Sequence, residues 1–183
     1  MSSFVFELTR EEKDYLKELA FLSISSKLEG YEPDFPDPPS TKLQEHLGAF
    51  VTLKIQGQLR GCIGHIIGDQ PLGKTIINMA REAAFRDPRF PPLKAREFES
   101  LELEISILSP LEPVPDIEQI EPGKHGLVIR KGPHSGLLLP QVAQEMGWDR
   151  QTFLAHTCQK AGLPSDCFQD KNTEIYWFQA VVF

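Results

Sequence analysis

The chain has 183 residues, 40% of them hydrophobic and 25% charged, and carries a net charge of −7. That suits one compact domain, or two intimate lobes, with enough apolar residues to build a core. The acidic balance argues against binding a phosphate backbone, although Arg81, Arg86, Arg89, Lys94 and Arg96 form one local basic group. Apolar runs such as Gly136 to Pro140 are far too short to span a bilayer.

Thr9 and Glu12 have capping-box spacing and predict a helix over 10–28, with Leu16, Leu19, Ala20, Ile24 and Leu28 as its apolar stripe. "GYEPDFPDPPS" (30–40) excludes helix and central strand, because proline removes donors and fixes the backbone. Tyr31 and Phe35 give this arm something to bury, which makes it an ordered crossing; a mobile flap is the alternative. Val51, Leu53 and Ile55 alternate with Thr52 and Lys54, the pattern of a strand with one covered face. A tight turn around Gly57 then leads into a second strand over 59–66.

A helix is predicted over 72–86, with Leu72, Ile76, Met79, Ala80 and Ala83 toward the core, stopped by Asp87-Pro88. "DPRFPPL" follows as a rigid extended crossing, and Leu101, Leu103, Ile105 and Ile107 mark a strand ended by Pro110. Residues 126–140 read as a second hairpin turning within 132–136. Pro140 starts a short helix ending near Gly147, and Asp149 caps another that stops at Gly162. Residues 174–183 form the last strand, on which Trp177 faces opposite to Tyr176 and Phe178, so both faces should be covered. Hairpins with helices between them give an α+β fold: a largely antiparallel sheet with flanking helices.

Cys62, Cys158 and Cys167 are an odd number at wide spacing without a CxxC, so no disulfide framework is expected. The histidines are scattered, and neither a metal site nor a cofactor is predicted. No basic start followed by an apolar stretch opens the sequence, which predicts a cytoplasmic protein.

The stretch "LRGCIGHIIG" (59–68) carries the chemistry. If three residues form the turn before it, Leu59, Gly61 and Ile63 share the apolar face with Val51, Leu53 and Ile55. Arg60 and Cys62 then point the other way, beside Lys54 and Thr52. A turn of two residues shifts the register and brings Arg60 and Cys62 onto the apolar face. The first register is preferred because it buries no unpaired arginine. It also sets Glu102 or Glu104 to pair with Arg60.

Gly61 and Gly64 flank Cys62, and glycine in a strand marks a bulge or a close approach. The functional reading is a small-molecule pocket with Cys62 as nucleophile, activated by Arg60 or His65. The structural reading is that the glycines admit a helix and Cys62 is a small buried hydrophobe. Asp87 and Arg89 either bind a polar ligand or form a structural pair. Glu102 and Glu104 read better as solvated charges than as paired catalytic carboxylates. His125 fits a turn-bracing hydrogen bond, and Trp148 a core anchor. His134 and Ser135 lack the third member of a hydrolase triad.

"LRGCIG" (59–64), "DPRFPPL" (87–93), "LELEISILSP" (101–110), "GKHGLVI" (123–129) and "LLLPQVAQEMGWD" (137–149) followed by "FLAHTCQKAGL" resemble the AMMECR domain family in the family's order, over about residues 10–183. The resemblance implies a single such domain over 1–183, a compact two-lobed α+β fold around a cleft, with the hairpin of residues 59–64 near it. It marks Arg60, Gly61, Cys62, Gly64, Asp87, Arg89, Phe90 and Glu104 as positions to test, with His65 just beyond the motif. Microbial members look like protein A of the AmmeMemoRadiSam group, which implies a Memo-like protein and a radical S-adenosylmethionine enzyme as partners in a modification or redox pathway. The expected function is an accessory ligand-binding or partner-docking domain. An enzyme using the Cys62 thiol on a small-molecule or acyl substrate is the alternative.

Overall fold

The computed structural model describes residues 7–183. In chain order its elements are α1 (Arg10–Glu29), β1 (Gly48–Ile55), β2 (Gln58–His65), α2 (Leu72–Phe85), α3 (Ala95–Phe98), β3 (Leu101–Leu108) and β4 (Glu112–Pro113). β5 (Gly126–Lys131), β6 (His134–Leu138), α4 (Pro140–Glu145), α5 (Arg150–Lys160), β7 (Glu174–Phe178) and β8 (Ala180–Val182) follow. The fold is α+β, with two antiparallel four-stranded sheets in the orders β2-β1-β3-β8 and β4-β7-β5-β6. The chain divides into two compact units, residues 1–108 with 181–183, and residues 109–180. Among the described residues no helix is long and apolar enough to cross a membrane.

In the first unit α1 starts at the expected capping box: Glu12 N donates to Thr9 Oγ1 at 3.2 Å and Thr9 N to Glu12 Oε2 at 2.8 Å. Leu16, Leu19, Ala20 and Ile24 are buried, as are Leu72, Ile76, Met79, Ala80 and Ala83 of α2. They share one core with Ala49, Val51, Leu53, Ile105 and Ile107, the apolar faces of β1 and β3. The arm of residues 30–40 has no regular structure and is ordered across α1. Tyr15 Oη donates to Pro36 O at 2.9 Å, Ser40 Oγ donates to Glu12 Oε1 at 2.6 Å, and Phe35 packs on the core. Three members of the basic group are taken up by local partners. Arg81 donates to Ser23 O and Ser26 Oγ of α1, Arg86 pairs with Glu82, and Arg89 pairs with Asp87.

In the second unit Leu127, Ile129 and Trp177 form one sheet face with Phe153, Leu154 and Cys158 of α5 against it. Val128 and Phe178, on the opposite face, are also buried, so both faces of the last long strand are covered as its pattern requires. The helices begin at Pro140 and at the cap Asp149, whose carboxylate accepts from Thr152 N at 2.8 Å. Trp148 is half-buried on this core and stacks on His156, ring centroids 4.0 Å apart.

Three expectations change. The last strand is two strands in different sheets. At the switch Ser109 N donates to Gln179 O and Gln179 N to Ser109 Oγ, both at 2.9 Å, so long-range pairing breaks a run that is uniform in its local pattern. α3 and β4 are too short to leave a periodic signal. Cys158 and Cys167, read as unpaired, form a disulfide. α5 ends at Lys160, Gly162 reverses the chain at a φ of 73°, and the turn over 167–169 brings the two Cα atoms to 5.9 Å.

Closing so short a loop is worth about 2–3 kcal/mol on the chain-entropy argument. Reduction is therefore expected to lower the second unit's denaturation midpoint by that equivalent. Paired urea titrations with and without reductant check this, and equal midpoints after complete reduction would reject it.

Candidate functional site

All the residues singled out around "LRGCIG" belong to the first unit. The hairpin turn is two residues long, since Ile55 pairs with Gln58, contrary to the preferred three-residue turn. Gln56 and Gly57 both have positive φ, 52° and 72°, the turn whose twist matches a hairpin. A bulge follows immediately: Lys54 opposes Leu59, Leu53 opposes Gly61, and Arg60 is the extra residue. From Gly61 onward the faces are those of the preferred register, with Thr52 opposite Cys62 and Val51 opposite Ile63. Leu59, expected on the apolar face, lies before the correction and is 43% exposed.

The two glycines have different neighbours. A Cβ at Gly61 would stand 2.2 Å from Ala83 O, so this position admits the backbone of α2. A Cβ at Gly64 would meet the Phe50 ring at 2.3 Å and Ala49 O at 2.4 Å; Phe50 is its cross-strand partner. The structural reading therefore holds for Gly61, which admits a helix, whereas Gly64 makes room for a side chain of the neighbouring strand.

Cys62 is half-buried, and its Sγ accepts a hydrogen bond from Thr52 Oγ1 at 3.2 Å. Glu104, opposite Thr52 in the same row, forms a diagonal ion pair with Lys54 of the next row, Nζ to Oε2 at 2.9 Å. His65 lies three residues along the strand and so on the opposite face, exposed; it is not placed to activate the thiol. β2 is an edge strand, and its free side is closed by the segment after α2. Cys62 N donates to Asp87 Oδ2 at 2.8 Å, and Arg89 Nη2 donates to Cys62 O at 3.3 Å. Asp87 also accepts from Arg89 N, Nε and Nη2. These bonds, led by the one from the Arg89 side chain, hold the buried Asp87 carboxyl far below the usual carboxylate range. Asp87 and Arg89 thus take the place of a neighbouring strand, the structural pair foreseen, and protect the edge.

Arg60 pairs with neither Glu102 nor Glu104. Its Nε and Nη2 reach both oxygens of Glu97 at 2.9 and 3.2 Å, and Nη2 also donates to Pro91 O at 2.9 Å. The bulge turns Arg60 off the row it would share with those glutamates. Glu104 is taken by Lys54, while Glu102 accepts from Gly57 N at 3.1 Å. Two guanidiniums lie over the Phe90 ring, that of Arg60 at 5.9 Å and that of Arg89 at 5.6 Å from its centroid. Glu97 is the residue that sequence reasoning passed over; its signal was its position three after Lys94, whose N–H it accepts at 2.9 Å. In the second unit His125 braces its turn as expected, its Nδ1 accepting from Glu121 N at 3.1 Å.

A discontinuous two-unit α+β protein with a cysteine on a clamped edge strand is the class these features define. The sequence model of the AMMECR1 family matches residues 17–183, and the chain belongs to that family. A protein of Nanoarchaeum equitans is 43% identical over 92% of this chain and 97% of its own length. One of Methanopyrus kandleri is 45% identical over 97% of this chain and 90% of its own. The crystal structure of uncharacterized protein PH0010 from Pyrococcus horikoshii superposes with a TM-score of 0.89 at 41% identity, covering 97% of this chain and 93% of that one.

Proposed function

We propose that the chain is an accessory binding domain whose site is the sheet face around Cys62. It acts beside a Memo-like protein and a radical S-adenosylmethionine enzyme in a modification or redox pathway. The observation that carries this reading is how the groups near the thiol are used. Thr52 donates to Cys62 Sγ, Asp87 is spent on Cys62 N and on Arg89, and His65 faces away. Each group that a nucleophilic mechanism would recruit as a base is either engaged elsewhere or turned away from the thiol. What remains is a rigid polar face of hydroxyl, thiol and the Lys54–Glu104 pair, suited to holding a small polar ligand. The pathway and partners rest on the likeness of the motifs to protein A of the AmmeMemoRadiSam group.

One observation favours a second reading, a thiol enzyme: Arg89 places a cation beside Cys62. Its side chain is 55% exposed, however, so water screens much of that charge. Alkylation of each cysteine against pH, read by peptide mass spectrometry on folded protein, separates the readings. The binding domain is expected to alkylate at Cys62 no faster at neutral pH than a denatured control. Rapid reaction that titrates well below about 8.5, the ordinary thiol value, would move the conclusion to the enzyme.

A further inference from the structure

The helices of the first unit cover the sheet face opposite Cys62, and two hollows among the described residues are lined by these helices and the arm. One, of about 430 Å³, is apolar: Leu19 of α1, Leu43, Ile77 of α2 and Phe35 of the arm line it, together with the exposed Lys74. The other, of about 530 Å³, is acidic: Glu11, Asp14 and Glu18 of α1 and Asp37 of the arm line it, with Arg10 as its cation. Tyr15 lines both. Arg10 lies near Asp14 at 3.7 Å, leaving Glu11, Glu18 and Asp37 as an excess of negative charge. That field reaches the shared wall: after burial, Asp37 and Glu18 are what raise the pKa of Tyr15.

We propose that this groove docks a segment of a partner protein in which a large apolar side chain is flanked by lysine or arginine. The anchor enters the apolar hollow and the cations lie over Glu11, Glu18 and Asp37. The apolar hollow takes one large side chain and buries it on three elements, the setting in which a single residue dominates an interface. Charge selects the direction. Lys74 lines the apolar hollow and not the acidic one, so an acidic residue on the side of the anchor away from the cations completes the match. The segment therefore reads basic, apolar, acidic along the groove. The proposal is independent of the Cys62 site, because it uses none of its residues.

The test is chemical-shift titration of the isotope-labelled chain with a short peptide carrying two lysines, a phenylalanine and a glutamate in that order, separated by glycines. A charge-reversed peptide is the control. Shifts are expected at Tyr15, Leu19, Phe35, Lys74 and Ile77, with affinity falling as salt rises. The reversed peptide should bind at least tenfold more weakly. The double variant Glu18→Lys with Asp37→Lys, both exposed and outside the core, should weaken the first peptide about tenfold and strengthen the reversed one. Shifts confined to other residues, equal affinity for the two peptides, or no shifts at millimolar peptide would each overturn the proposal. So would tighter binding of an uncharged amphiphile, or shifts at this groove that depend on protein concentration alone and so mark a second copy as its occupant.

Discussion

Asp87→Ala is expected to cost about 3 kcal/mol, the lower end of the range for breaking a buried ion pair. The side chain of Asp87 is 2% exposed and accepts four hydrogen bonds, one of them from Cys62 N at the edge of β2. Truncation leaves that N–H without its partner and Arg89 without its counter-ion. Arg89 is half exposed and recovers solvation, which keeps the cost at the low end. The effect has a pH signature. The folded-state pKa is depressed, so the stabilisation is complete above the unfolded value of about 3.9 and is lost as pH falls through the folded value. The gap between the native chain and Asp87→Asn should therefore be constant above about pH 5 and narrow in acid. Urea midpoints across that range measure it, and a gap that does not change down to pH 2 would mean the charge of Asp87 does not contribute.

The second large effect belongs to Gly61. Gly61→Ala places a methyl group where Ala83 O stands at 2.2 Å, and the obstacle is backbone, which cannot rotate away. Either α2 moves off the sheet or β2 bends further, and overpacking of this kind costs about 3 kcal/mol. Because α2 contributes Ile76, Met79, Ala80 and Ala83 to the core, its displacement should loosen the whole first unit. Thermal denaturation of Gly61→Ala beside Gly57→Ala provides the comparison. Nothing lies within 4 Å of a Cβ at Gly57, where only the positive φ of 72° resists substitution. A Gly61 variant no less stable than the Gly57 variant would overturn the assignment of Gly61 to helix packing.

Much of this fold is legible because its signals are local. The capping box at Thr9 and Glu12, the alternation of Val51, Leu53 and Ile55, and the cap at Asp149 each act within a few residues, and each appears where the pattern places it. The hairpin shows where legibility ends. Pattern fixed the faces of Gly61 and Cys62, yet the two-residue turn and the bulge at Arg60 cancel each other in that pattern, so neither was readable alone. The bulge also redirected Arg60 to Glu97, a pairing that depends on the path of the chain after α2. The site was partly legible for the same reason. Thr52 beside Cys62 follows from register, whereas the bonds from Asp87 and Arg89 to Cys62 require knowing which strand is the edge. The Cys158–Cys167 bond depends on the return of the chain past Gly162, a tertiary event with no period in the sequence.

The return of β8 to the first sheet has a consequence for synthesis. Residues 181–183 belong with residues 1–108, and Phe183 exchanges N–H···O bonds with Ile105 at 2.9 and 3.1 Å. A growing chain therefore makes β1, β2 and β3 early but leaves the outer edge of β3 open while all of residues 109–180 emerge. During that interval the exposed edge is a template for mispairing. A polypeptide ending after residue 179 would keep it permanently.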